Sequence, residues 1–211
     1  MNYLLTQDKL SIFQNELNML KQYCPETISR KIQEANIQQS YVLHMALKYA
    51  KPESTILSVG SYEDTASETL KKLNYNITEI DPVINYDLTT FYNMNTHAKF
   101  DIIISTSVIE HVPDDELFIN TICKLLNTNG IGILTCDFNN KYITDNLNKP
   151  GEDYRLYTEY DLLTRLNSVL SDNGCELLTP IDYSGEPDFT YCGHVYTFAS
   201  YIFKKVGDIL W

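Results

Sequence analysis

The sequence predicts an α/β fold: a doubly wound, mostly parallel sheet with a final antiparallel strand and an N-terminal helical extension. Three observations carry this expectation. From residue 54 onward, short apolar runs alternate with helix-like segments. Such alternation implies right-handed crossovers and a parallel sheet covered on both faces. The last apolar run, VYTFASYIF, alternates with no helix behind it and suits an antiparallel return. At 211 residues and 44% hydrophobic, the chain has enough apolar surface for one domain with a real core.

Residues 1–50 show helical spacing and hardly any strand signal. Leu10, Phe13, Leu17 and Leu20 fall three or four apart, on one helical face. Pro25 interrupts them, and Ile28, Ile32, Leu43 and Leu47 follow in a second segment. We expect two or three helices here, packing onto or lidding a domain that spans residues 51–211. In that domain STILSVG is a first strand, TASETLKKL a helix, NITEID a second strand, FDIIIST a third and GIGILTCDF a fourth. PDDELFINTICKLLN lies between the last two, with Pro113 and two Asp at its start and Asn129-Gly130 closing it. VINYDLTTFY reads as one short strand plus a loop. TEYDLLTRLNSVLSDNGCELL reads as a helix, an Asn-Gly stop and a strand.

Lys+Arg 16 against Asp+Glu 28 leaves a net charge of −12. Nucleic-acid affinity rests on cationic side chains that displace counterions, so that partner class is disfavoured. The five cysteines are odd in number and form no C-x-x-C pair, which argues against a disulfide framework and a zinc ribbon. MNYLLTQDKLSIF has neither a basic start nor a long apolar stretch, and no run approaches a membrane span. The expectation is a cytoplasmic protein without membrane insertion, without a metal site and open to homodimerisation.

In a doubly wound sheet, ligands lie beyond the carboxyl ends of the strands. Gly60-Ser61-Tyr62-Glu63-Asp64 follows the first strand, and Asp81 ends the second, twenty-one positions after Gly60. A Gly permits a tight turn and close ligand approach, and a carboxylate there can accept from two ribose hydroxyls. A turn Gly and a strand-end Asp with no ligand is the alternative. GSYEDT lacks the spaced glycines of a nicotinamide-dinucleotide site.

FDIIISTSVIEHVPDD comes next. With ILSVGSYED, ITEIDP and LLNTNGIGILTCDF it makes residues 54–205 resemble class I S-adenosylmethionine-dependent methyltransferases. The resemblance implies a Rossmann-like fold and S-adenosyl-L-methionine as cofactor. It places Gly60, Ser61, Tyr62 and Asp81 at the cofactor, with Asp87 and Thr106 on its adenine side. Two positions depart from the family pattern: Ser58 stands where an acid is usual, and Tyr62 where a Gly is. Glu63 or Asp64 would then supply the charge for the cofactor ammonium. The interval from Asp81 to Asp101 is also shorter by about a helix and a strand.

Methyl transfer to a hydroxyl calls for a base, and four histidines make the search short. His111, just past the third strand of this series, and Asp137, ending the fourth, are the candidates. Each has a structural alternative: His111 as a helix-entry residue, Asp137 as a turn cap. His44 reads as a helix residue and His97 as a solvated loop residue. Arg155, flanked by Tyr154 and Tyr157, could anchor an anionic group of the substrate, or pair with Glu152 or Asp153 instead. His194 could reach the site from its loop, or simply begin the last strand. Tyr183, Tyr191 and Tyr196 suit stacking on a sugar or base, or ordinary strand packing. The acidic balance favours a neutral, polyhydroxylated acceptor unless Arg155 compensates. The expected activity is O-methylation of a small molecule, a sugar or nucleotide-linked sugar of surface-polysaccharide biosynthesis. The alternative is a catalytically silent partner or scaffold subunit, with a blocked cofactor cleft and an exposed apolar patch on the N-terminal helices.

Overall fold

The computed structural model describes residues 2–143 and 154–207. Its centre is a parallel block formed by β2 (Thr55–Val59), β3 (Asn76–Ile80), β4 (Phe100–Thr106) and β5 (Leu126–Phe138). These pair in the order β3-β2-β4-β5, all parallel. The long strand β9 (His194–Lys205) runs antiparallel beside β5, as expected for VYTFASYIF. The reversal between β3-β2 and β4-β5 leaves a crevice at the carboxyl ends of β2 and β4, where ligands of such sheets bind.

The N-terminus departs from the helical expectation. Asn2–Leu5 forms a strand, β1, which pairs antiparallel with β9, Leu4 facing Ala199. Side chains hold it there: the Ser200 hydroxyl accepts from Tyr3 N and donates to Tyr3 O, both at 2.9 Å. Asn2 likewise donates to the Ile202 carbonyl at 3.1 Å. Four residues are too few to show a period, and these partners lie some two hundred positions away. Beyond β1 the sheet ends in β7 (Ile181–Asp182), while β6 (Cys175–Leu177) and β8 (Phe189–Tyr191) also pair with β9.

After β1 a 3-10 stretch (Gln7–Phe13) leads into α1 (Gln14–Tyr23), α2 (Pro25–Arg30) and α3 (Asn36–Tyr49). Pro25 opens α2 at its first turn, where its missing N–H has no partner to lose. α3 is buried nearly all round; Ile37, Tyr41 and Val42 pack with Ile56, Ile102, Ile133 and Ile202 on one face of the sheet. The opposite face, with Leu57, Ile103 and Leu134, is covered by α5 (Leu88–Met94), α6 (Asp115–Leu125) and α7 (Leu166–Asp172). Adjacent strand residues thus feed opposite cores, the period-two signature of a doubly covered sheet. The N-terminal segment is therefore a layer of this sheet and supplies one of its strands.

Two local expectations change. VINYDLTTFY contains no strand: Asp87 accepts from Thr90 N at 2.8 Å and caps α5, and Phe91 packs on Phe100. The turn expected at Asn129-Gly130 lies inside β5 as an irregularity, with Asn129 at φ 69° and the register shifting opposite Phe100 and Ile102. α4 (Thr65–Lys72) and α6 fall where expected. Before α7, Asp161–Arg165 winds as a π-helix.

Candidate active site

β2 delivers the chain to Gly60 at φ +77°, a region that a Cβ strongly disfavours. A Cβ would also lie 2.2 Å from a Val108 methyl, so the turn after β2 and the loop after β4 touch only because residue 60 is Gly. Gly60 N and Ser61 N both donate to the Ile80 carbonyl, tying the turn to the end of β3. Asp81 follows, 9% exposed; one carboxylate oxygen accepts from Tyr62 N at 3.1 Å, the other from Val83 N at 2.8 Å. Each oxygen keeps a free lone pair, since a carboxylate has about four acceptor sites.

A cleft of about 630 Å³ opens here, lined by Gly60, Tyr62, Asp81, Asp87, Thr106 and His111 among others. Tyr62 is 53% exposed and stands at the cleft without filling it, so the cleft is not blocked. Thr106 Oγ1 is buried with no hydrogen-bond partner. Two expectations need correction. Ser61 does not line the cleft; its hydroxyl lies 3.3 Å from the Ile80 carbonyl that it donates to. Asp87 does line it; its two oxygens accept from Thr90 N and Oγ1, and its pKa is lowered mainly by the Thr90 backbone N–H. Neither Glu63 nor Asp64 reaches the cleft: Glu63 pairs with Arg30 at 2.8 Å, and Asp64 caps α4.

That cap also shows how the turn holds without an acid at position 58. The Ser58 and Ser67 hydroxyls bond each other, and Ser67 N and Oγ both donate to Asp64 at 2.7 Å. Gln39 donates to the same carboxylate at 3.0 Å and accepts from Thr65 Oγ1 and Ala66 N. The organising carboxylate has moved from the strand to the helix cap.

A second cavity of about 440 Å³ adjoins the first, and Gln38, Ser107 and His111 line both. Its other lining includes Glu110, Asp137, Tyr154, His194 and Tyr196. Asp137 is 5% exposed and accepts from Tyr154 Oη at 2.7 Å and Ser107 Oγ at 3.4 Å. Burial pushes its pKa up, while the bonds from Tyr154 and Glu110 and then the His111 charge oppose the rise. Tyr154 stands between two imidazoles, its ring centre 5.4 Å from His111 and 5.3 Å from His194. The two-residue turn Cys192-Gly193, both at positive φ, folds β8 onto β9 and sets His194 at the cavity.

Glu110 is fully buried, and neither carboxyl oxygen meets a donor in hydrogen-bond geometry. Burial, and then the Asp137 charge, push its pKa well up. Glu110, Gln38 and Tyr154 line the second cavity and were not among the candidate site residues, although Tyr154 was noted beside Arg155. Glu110 could have been found from its place beside His111. Tyr154 could have been found from alternation: in an extended segment Tyr154 and Arg155 face opposite ways, so only one can face the site. Gln38, which accepts from Ser107 Oγ and Thr135 Oγ1 at 2.8 Å, sits in the first turn of α3 with no local signal.

The structure does not bring Arg155 or Tyr157 to either cavity. Arg155 is 1% exposed and pairs with Asp161 at 2.9 Å and Asp115 at 3.5 Å, with Arg165 joining the same two acids. Tyr157 is buried under that guanidinium, and its hydroxyl donates to Asp115 and to the Ile109 carbonyl. The alternative partners Glu152 and Asp153 lie outside the described residues. A guanidinium sunk between two carboxylates has no capacity left for a substrate anion. His44 bonds Glu16 at 2.9 Å, away from both cavities. Tyr183 is buried with its hydroxyl on the Ser200 carbonyl, and Tyr191 lines the second cavity. Among the described residues of the N-terminal helices, Ile12 is the one large apolar side chain that is exposed, so no apolar patch forms there.

The family described as "Methyltransferase domain" matches residues 30–179. A ubiquinone biosynthesis O-methyltransferase of Paramagnetospirillum magneticum is 26% identical over 113 residues, 42% of this chain and 45% of that protein. The chain thus spans under half the length of that relative. A 1,6-didemethyltoxoflavin-N1-methyltransferase of Burkholderia thailandensis, solved with S-adenosylhomocysteine, superposes with a TM-score of 0.53 at 14% identity. The match covers 97% of this chain and 92% of that one. TehB of Haemophilus influenzae superposes at 0.51 with 18% identity, over 82% of this chain and 66% of that one. These likenesses support the fold. A family match over more than half of the chain, on a crevice built at the expected strand ends, shows that this protein belongs to the S-adenosylmethionine-dependent methyltransferases.

Proposed function

We propose that this protein transfers a methyl group from S-adenosylmethionine to a hydroxyl of an uncharged, polyhydroxylated small molecule such as a sugar. The observation that carries the reading is the pair of adjoining cavities meeting at His111. The first fits the cofactor: Asp81 retains acceptor capacity for ribose hydroxyls, and Thr106 Oγ1 is a buried group still lacking a partner. S-adenosylmethionine, when bound there, supplies a methyl group activated by its sulfonium. The protein's task is then to orient the acceptor, exclude water and take a proton, effects worth up to several kcal/mol through proximity alone.

His111 is the proposed base, since it borders both cavities. Asp137 lines the cavity beside it, and Tyr154 holds its carboxylate in place. Ser107 and Gln38 fix the wall between the cavities, and His194 with Tyr196 closes the acceptor side. A phosphate-bearing acceptor is disfavoured, because Arg155 is withdrawn and no Lys or Arg among the described residues lines the second cavity.

Calorimetric titration with S-adenosylhomocysteine tests the cofactor end. Asp81→Ala is expected to weaken binding about tenfold or more, the value of a hydrogen bond to a charged group. Unchanged affinity would remove Asp81 from the cofactor site. Transfer itself is read as methylated sugar by mass spectrometry, and His111→Ala is expected to abolish it while leaving cofactor affinity intact.

A further inference from the structure

The N-terminal stretch builds a wall shared by the two cavities, and one residue of that wall is a cation. Lys31, Ala35, Gln38 and Gln39 line the first cleft, while Ile32, Ala35 and Gln38 line the second. Lys31 and Ile32 are consecutive extended residues, at ψ 154° and 143°. Side chains alternate along extended chain, so Lys31 borders one cavity and Ile32 the other. Two contacts set this stretch against the turn after β2 and the helix behind it. Arg30 pairs with Glu63 at 2.8 Å, and the Thr27 hydroxyl donates to Glu68 of α4 at 3.1 Å. Lys31 is the single Lys or Arg among the described residues that line the first cleft, beside Asp81, Asp87 and Asp114. No hydrogen bond or ion pair among the described residues engages its ammonium. Asp114 caps α6, which covers the opposite face of the sheet, so the cleft is cationic on its α3 side and acidic on its α6 side.

S-adenosylmethionine carries its one negative charge on the carboxylate of its amino-acid arm, at the far end from the uncharged adenine. An acidic wall repels that carboxylate, and a lysine attracts it and donates to it. We propose that Lys31 holds the cofactor's carboxylate, and that this bond fixes Lys31–Ile32 as the partition between cofactor and acceptor. The bond acts on both sides at once. With Lys31 anchored in the first cleft, alternation keeps Ile32 against the second. A ligand that binds the anchored arrangement better shifts the stretch toward it. The cofactor thereby completes the acceptor cavity before the acceptor enters. This rests on the reading of the first cleft as the cofactor site.

Calorimetry on the full chain compares S-adenosylhomocysteine with its decarboxylated analogue, two ligands that differ only in the carboxylate. The parent chain is expected to prefer the former about tenfold or more, the value of a hydrogen bond between charged groups. Lys31→Met is expected to shrink that preference below about threefold while binding the decarboxylated analogue as the parent does. Hydrogen–deuterium exchange reads the partition. S-adenosylhomocysteine is expected to slow the amides of residues 31–35 about threefold or more in the parent chain. The decarboxylated analogue is expected to leave them unslowed, as is either ligand with Lys31→Met. A preference that survives Lys31→Met places the carboxylate elsewhere and overturns the proposal. An equal loss of both ligands in Lys31→Met overturns it too, since the lysine then serves the fold or the nucleoside. Equal slowing by both ligands in the parent chain overturns the partition. No heat from either ligand sinks the cofactor reading of the cleft and this inference with it. Binding of both with no carboxylate preference sinks this inference alone.

Discussion

Two clusters of buried acids lie side by side in this protein and are treated in opposite ways. Asp115 and Asp161 are satisfied by two guanidiniums, Arg155 and Arg165, with distances down to 2.6 Å. Glu110 and Asp137 have no Lys or Arg partner among the described residues; His111 lies beside them, and Arg155 N donates to the Glu110 carbonyl at 3.1 Å. The same residue thus touches both clusters, its backbone serving one and its charge the other. A matched set of buried charges holds elements together; here α6, the π-helix and the segment through Tyr157 meet in one network. An unmatched pair at a cavity costs stability and is retained where a ligand or a proton completes it.

Removing the charge from the matched cluster should produce the largest effect. Arg155→Met leaves Asp115 and Asp161 under-compensated in the interior. It is expected to cost about 3–5 kcal/mol in urea unfolding, the usual penalty for breaking a buried pair. A loss under 1 kcal/mol would mean that the network is ornamental and the contrast false.

Tyr154→Phe acts on the unmatched cluster by deleting the 2.7 Å donor to Asp137. The expected loss is about 1.5–3 kcal/mol, typical of a hydrogen bond to a charged group. Methyl transfer is expected to fall as well, while cofactor affinity stays at the parent value.

The last effect is a slope rather than a loss, and it is the most diagnostic. Burial raises the folded pKa of Glu110 above the ordinary 4.5, so above that pH the folded chain holds more protons than the unfolded one. Stability therefore declines as pH rises from about 4.5 through the folded pKa, by at most about 1.4 kcal/mol per pH unit for one proton. Glu110→Gln removes that proton and should reduce the slope measured by urea unfolding between pH 5 and pH 8, leaving the part that the raised pKa of Asp137 supplies. Arg155→Met should leave the slope in place, and an unaltered slope in Glu110→Gln would show that Glu110 carries no raised pKa.

Much of the architecture was legible because it is written in local periods. Ile102, Ile103 and Ile104 in succession announce a strand buried on both faces, and Asp114 and Asp115 before an apolar helix announce its start. The first cleft was legible for the same reason: Gly60 and Asp81, which line it, are positions at strand ends, and strand ends can be read from the chain. Asp87 lines the same cleft, whereas the Ser61 hydroxyl turns from it to a nearby carbonyl, a bond that strand-end position does not reveal. β1 failed because its partners, Ser200 and Ile202, are far away in sequence.

The sequence by itself determined the alternation of strands and helices, the place of the crevice and the identity of the residues at its first rim. Each of those depends on spacing within a few turns of chain. Tertiary structure alone decided which charges are answered. Arg155 and Tyr154 are neighbours in an extended segment, and only the fold turns the guanidinium to Asp115 and Asp161 and the phenol to Asp137. Pairing between distant charges is a matter of distance in space and of the dielectric around them, and a linear order of residues carries neither.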